Sequence, residues 1–272
     1  MKTKFILSFL IAVILFGCDK HSDDPNLLNE VDGLSLYWDH EVFGDEGRRL
    51  RFEFRGTKEL ENSYELIFDY SINQKDILIE LIVMIDNGKC PSFPTGNGIQ
   101  SLCAPRGGIF IPDSVLLEGT YTITLKTPKF QSVSELKISD EKYILNISPN
   151  DHFSSSISQV YPIPLNLLFG SVVYSGDENT QYANEFLNDL LTLGLTQTNV
   201  PYYPYRHLSV NEDGTAISSN WQPENHSLSF IYTMDNNFEA ILNLAKEHFN
   251  KANINIYLYS SDGDEARLTK SN

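Results

Sequence analysis

Across residues 31–147 the chain repeats one pattern, short runs of alternating apolar and polar residues separated by turn formers. Leu50-Arg51-Phe52-Glu53-Phe54 and Tyr121-Thr122-Ile123-Thr124-Leu125 place every second side chain on the same face. Successive side chains of a strand point to opposite faces, so these runs predict antiparallel sheet with one wet and one buried side. Similar runs occupy 34–38, 64–70, 77–85, 109–111, 135–139 and 143–147, with no helical periodicity between them. Short strands at this spacing, with turns such as Glu118-Gly119-Thr120, predict a β-sandwich over 31–148. Residues 77–85 are apolar on both faces apart from Glu80, which predicts a central strand.

Residues 149–164 change character. Ser154-Ser155-Ser156 and the prolines at 149, 162 and 164 replace periodic apolar residues, marking a linker. A different rhythm follows over 165–272. Residues 167–174 form an apolar, β-branched run, and Tyr182, Ala183, Phe186, Leu187, Leu190 and Leu191 then recur at helical spacing until Gly194. Residues 203–210, turning at Asn211-Glu212-Asp213-Gly214, and 228–232 predict two middle strands. A second helix is expected from near Asn236, with Glu239 three residues on as in a capping box, and Ile254-x-Ile256-x-Leu258 is the last strand. The order βαββαβ is that of a ferredoxin-like α+β domain, a fold that hosts unrelated functions. The total of 272 residues suits two domains, each long enough to bury a core.

At the N-terminus Lys2 and Lys4 precede an apolar stretch over residues 5–16. A permanent membrane span needs about 20 such residues, so this stretch reads as the core of a signal peptide covering 1–17. Leu15-Phe16-Gly17-Cys18 resembles the lipobox of bacterial lipoproteins, although Phe16 is bulkier than that position usually carries. The resemblance implies cleavage before Cys18 and a lipid on its sulfur, which would tie the protein to a membrane. Ser22-Asp23-Asp24, close behind the cysteine, resembles the surface-export signal of Bacteroidota lipoproteins. It implies the outer membrane and the cell surface, with the periplasmic face as the alternative. Residues 18–30 then form an acidic tether. The stretch 117–125 resembles the late strands of immunoglobulin-like domains, where a Gly-x-Tyr enters a strand after a turn; here that is Gly119-Thr120-Tyr121. An immunoglobulin-like sandwich is what this second resemblance implies.

An oxidising compartment gives Cys90 and Cys103 a role. They flank Pro91-Ser92-Phe93-Pro94-Thr95-Gly96-Asn97-Gly98, a turn-rich excursion, and are expected to form a disulfide stabilising the fold by about 3 kcal/mol. A metal site needs further ligands, and no CxxC or neighbouring His offers them.

Asp and Glu total 36 against 20 Lys and Arg, a formal charge of −16. A polyanion repels nucleic acid, and the nearest basic stripe, Arg48-Arg49-Leu50-Arg51, lies among acids. Motifs for nucleophile elbows, P-loops and zinc proteases are absent, and the six histidines are scattered. The acidic stretches 39–46 and 262–265 lack the oxygen spacing of an EF-hand, so they read as solvated turns. No catalytic residue, metal or cofactor is expected.

One constellation stands out: Val200-Pro201-Tyr202-Tyr203-Pro204-Tyr205-Arg206-His207, with Trp221 and Asn225 beyond the next turn. It has two readings. Tyr202, Tyr203, Tyr205, Arg206 and Trp221 could form an aromatic face for a sugar or a protein partner, or the tyrosines could pack the crossover against the first domain. The preferred functional expectation is a non-catalytic binding or assembly lipoprotein for a glycan or protein. A hydrolase of envelope or external polymers is the alternative.

Overall fold

A computed structural model describes residues 27–42, 47–91, 93–95, 98–100, 103–148, 150–203, 205, 208–217, 225–235 and 237–270. The fold is mostly β. Its larger part contains β1 (Leu34–Val42), β2 (Arg48–Gly56), β3 (Asn62–Asn73), β4 (Asp76–Lys89), β5 (Phe93–Thr95), β6 (Gly98–Gln100) and β7 (Arg106–Pro112). These are followed by β8 (Gly119–Lys126), β9 (Gln131–Ile138), β10 (Tyr143–Ile147), β11 (Phe153–Ser155) and β12 (Gln159–Val160). The strands expected to divide into two packed sheets are instead hydrogen-bonded into one ten-stranded mixed sheet, in the order β11-β1-β2-β7-β3-β4-β8-β9-β10-β12. Only β5 and β6 stand apart, as a hairpin.

The sheet curls until its edges meet, and a single piece of chain closes it. Residues 153–155 pair with β1, and a few residues later 159–160 pair with β10 at the other edge. Residues 153–155 and 159–160, within the stretch that reads as a linker, are therefore strands of this sheet. The closing segment is pinned from inside, where the Trp38 indole donates to the Ile157 carbonyl at 2.7 Å. Alternation explains the rest of the interior. Leu50, Phe52 and Phe54 of β2 and Tyr121, Ile123 and Leu125 of β8 all point inward and are buried. β4 does lie inside the sheet, between β3 and β8, yet Leu78 and Ile82 on its outer face stay exposed.

The smaller part contains β13 (Leu167–Ser175), α1 (Thr180–Thr192), β14 (Thr196–Gln197), β15 (Asn225–Thr233), α2 (Phe238–Lys251), β16 (Ile254–Ser260) and β17 (Glu265–Leu268). Its sheet is antiparallel, in the order β14-β15-β13-β16-β17. α1 buries Ala183, Phe186 and Leu190 and stops at Gly194, whose φ of 85° is a left-handed conformation that suits glycine. α2 is capped by Asn237, one residue later than expected, whose side chain accepts from the Ala240 N–H at 3.3 Å.

Residues 203–210 are not a strand of this sheet. Their described part makes only isolated bridges, Tyr205 to Leu208 and Val210 to Ala216. Tyr203, Tyr205, Leu208 and Val210 point instead into the core of the larger sheet. These four residues keep no strict period of two, and the surface they cover belongs to the other half of the molecule. Phe169, Ile231 and Tyr259, from the face of the small sheet away from the helices, join that same core.

Candidate functional site

The sequence Asp39-His40-Glu41 is buried on both faces of β1. On the outer face, pairing with β2 places Arg51 opposite Asp39 and Arg49 opposite Glu41. Arg51 binds Asp39 with two bonds, at 2.8 and 2.9 Å, and Arg49 reaches Glu41 at 2.6 Å while lying over the Phe110 ring. The basic stripe seen in the sequence is thus consumed by ion pairs. Desolvation offsets most of their attraction, so their main effect is to hold the β1–β2 register.

On the inner face His40 points into the end of the curled sheet. Its Nδ1 accepts the Ile163 backbone N–H at 3.2 Å, so the ring proton sits on Nε2, which donates to Asp113 Oδ2 at 2.8 Å. Arg48 Nε donates to the same oxygen at 3.1 Å. Burial pushes the Asp113 carboxyl up, but the bonds from His40 and Arg48 outweigh it and hold the group below its usual range. Tyr143 meets the His40 ring edge-on at 5.8 Å. Burial, with Asp113 nearby, pushes its hydroxyl up to about 12, so it keeps its proton at physiological pH. Arg48 Nη1 and Asp113 Oδ1 are buried without a hydrogen-bond partner.

Arg48 and Tyr143 of this cluster line a cleft of about 570 Å³ at the mouth of the curled sheet. Tyr161, Pro162, Pro164, Leu165 and Pro201 line it as well. The exposed acids Asp140 and Glu141, from the β9–β10 turn, also line it. The volume lies within the usual range for small-ligand sites. Because both nitrogens of His40 are engaged, the ring has no lone pair with which to take a proton from a substrate. A second recess, of about 460 Å³, is polar and lies at Ser175, Gly176, Asp177, Glu178, Asn179, His226 and Asn253.

The tyrosines singled out in the sequence separate. Tyr202 is 61% exposed, whereas Tyr203 and Tyr205 are 8% and 5% exposed. The Tyr203 ring lies 5.9 Å from Tyr161 and 5.4 Å from Tyr205, and burial raises both hydroxyls far above the usual tyrosine range. Neither hydroxyl has a partner. Arg206, Trp221 and Cys18, the residue expected to carry a lipid, lie outside the described residues, as does the side chain of Asn225. Cys90 and Cys103 sit at disulfide distance, with Cα atoms 5.8 Å apart. Cys103 and Leu60 exchange both backbone hydrogen bonds at 2.9 Å, which anchors the excursion to the start of β3.

Sequence reasoning missed the cleft. Its parts were visible only as an acidic stretch at 39–46, a basic stripe at 48–51 and a proline-rich linker at 162–164. Compared with protein-family models, curated proteins and solved structures, the chain matches none of them.

Proposed function

We propose that the protein is a cell-envelope lipoprotein, anchored to the outer membrane through Cys18, displayed on the cell surface, and acting as a non-catalytic binding module for a glycan or a protein. The observation that carries the binding reading is the cleft at the mouth of the curled sheet, lined by apolar and aromatic side chains together with charged ones. The fully engaged His40 favours binding over hydrolysis, since the histidine nearest the cleft has no free nitrogen for acid–base work. The same geometry supports an outward-facing site. The tether leads into β1 at Leu34, and the cleft lies at its Val42 end, about 27 Å further on.

Two finer features of the fold belong to this reading. The Tyr121 hydroxyl donates to the Leu117 carbonyl at 2.8 Å, which supports an immunoglobulin-like turn before β8. β15 and β16 both run antiparallel to β13 between them, which supports a ferredoxin-like split βαβ unit around α2.

Labelled fatty acid supplied to cells should enter the wild-type protein and not Cys18→Ala; uptake by the variant contradicts the anchor. For the site, the purified mature protein is immobilised and exposed to an extract of envelope and external polymers. Leu165→Asp, at an exposed position, should lose most of the retained material. Equal retention by both proteins, or cleavage of the polymers, contradicts the binding reading.

A further inference from the structure

Resting on that reading of the cleft, we propose that its ligand is a neutral carbohydrate. The charge deepest in the wall is already matched, since the Arg48 guanidinium is bonded to Asp113. An anionic group entering here competes with Asp113 for Arg48 and lies near Asp140 and Glu141. A cationic group is attracted by those two acids but then meets Arg48. A hydroxyl avoids both penalties, because it donates to a carboxylate and accepts from a guanidinium.

Arg48 lines the cleft as a donor, and Asp140 and Glu141 line it as acceptors. Neighbouring hydroxyls on a sugar ring supply a donor and an acceptor side by side. The same cleft provides what the C–H faces of a pyranose need, an aromatic ring at Tyr161 and apolar surface at Leu165 and the prolines.

Calorimetric titration of the mature protein with cellohexaose, maltoheptaose, hexagalacturonate and the chitosan hexamer tests the proposal. At least one neutral oligosaccharide should bind, with little dependence on salt, and the two charged ones should not. Tyr161→Ala and Leu165→Ser should each weaken binding about ten-fold or more, a loss of about 1.4 kcal/mol. Leu165 is exposed, so its variant keeps the fold; the melting temperature of Tyr161→Ala is measured alongside. Preferential binding of a charged oligosaccharide that the cleft variants abolish overturns the ligand class and leaves the site standing. Neutral binding that ignores both variants overturns the site. No binding of either neutral oligosaccharide overturns the proposal.

Discussion

Asp113 links two elements that are far apart in the sequence, and its charge is what makes the link. Its carboxyl titrates below the usual range in the folded protein, so its pairing stabilises the fold above about pH 4 and is lost as pH falls through the depressed value. Asp113→Asn should cost about 2 kcal/mol at pH 7, and urea denaturation should find the gap from wild type closing toward pH 3. A gap that stays constant with pH contradicts the ionic role. Tyr203 and Tyr205 make the opposite case. Their hydroxyls are buried with nothing to bond, so Tyr203→Phe removes a desolvation cost and should leave stability unchanged or raise it by about 1 kcal/mol. Tyr203→Ala, which also removes the ring, should cost about 3 kcal/mol in the same measurement. A Phe variant as unstable as the Ala variant would show that the hydroxyl has a partner. None of these pairings was legible in the sequence, because His40 and Asp113 stand 73 residues apart and only the closing of the sheet brings them together.

Among the elements, those governed by their own pattern were legible and those governed by a distant partner were not. β2 and β8 bury every second residue as their alternation requires, and α1 buries the stripe that its spacing marks and ends where glycine permits. Residues 203–210 are rich in strand-forming side chains, but their apolar positions break step between 205 and 208 and Pro204 lacks the N–H that a ladder needs, signals in the sequence that argue against a middle strand. Residues 153–160 carried no apolar period because strands this short bury only Phe153 and Val160 and are held otherwise by backbone bonds and Trp38. β3 and β7 meet through one parallel bridge, at a crossing that only glycine permits. A Cβ on Gly107 would fall on the Leu66 carbonyl. Gly107→Ala should therefore cost about 3 kcal/mol. An unchanged urea midpoint would mean that the two strands can part without loss.

In the whole molecule one face of the small sheet packs into the core of the large one, while its other face forms a second core with α1 and α2. Phe169 and Ile231 from the small sheet, with Tyr203 and Tyr205 from the crossover, pack among the buried residues of the large one. The boundary drawn in the sequence separates two rhythms, and this packing predicts that the parts on either side unfold together. Scanning calorimetry of the mature protein should give a single transition, and residues 165–272 expressed alone should expose apolar surface and aggregate. Two resolved transitions contradict the shared core. The same joining of parts creates the cleft, since its walls come from β2, the β9–β10 turn, the closing segment and Pro201. The claim that this cleft is the binding site is tested most directly by amide hydrogen exchange of the mature protein with and without saturating cellohexaose or maltoheptaose, whichever binds. Exchange should slow at residues 139–143 and 161–165 and stay unchanged at 175–179, the polar recess. Protection confined to 175–179, or absent from both walls of the cleft, would contradict it.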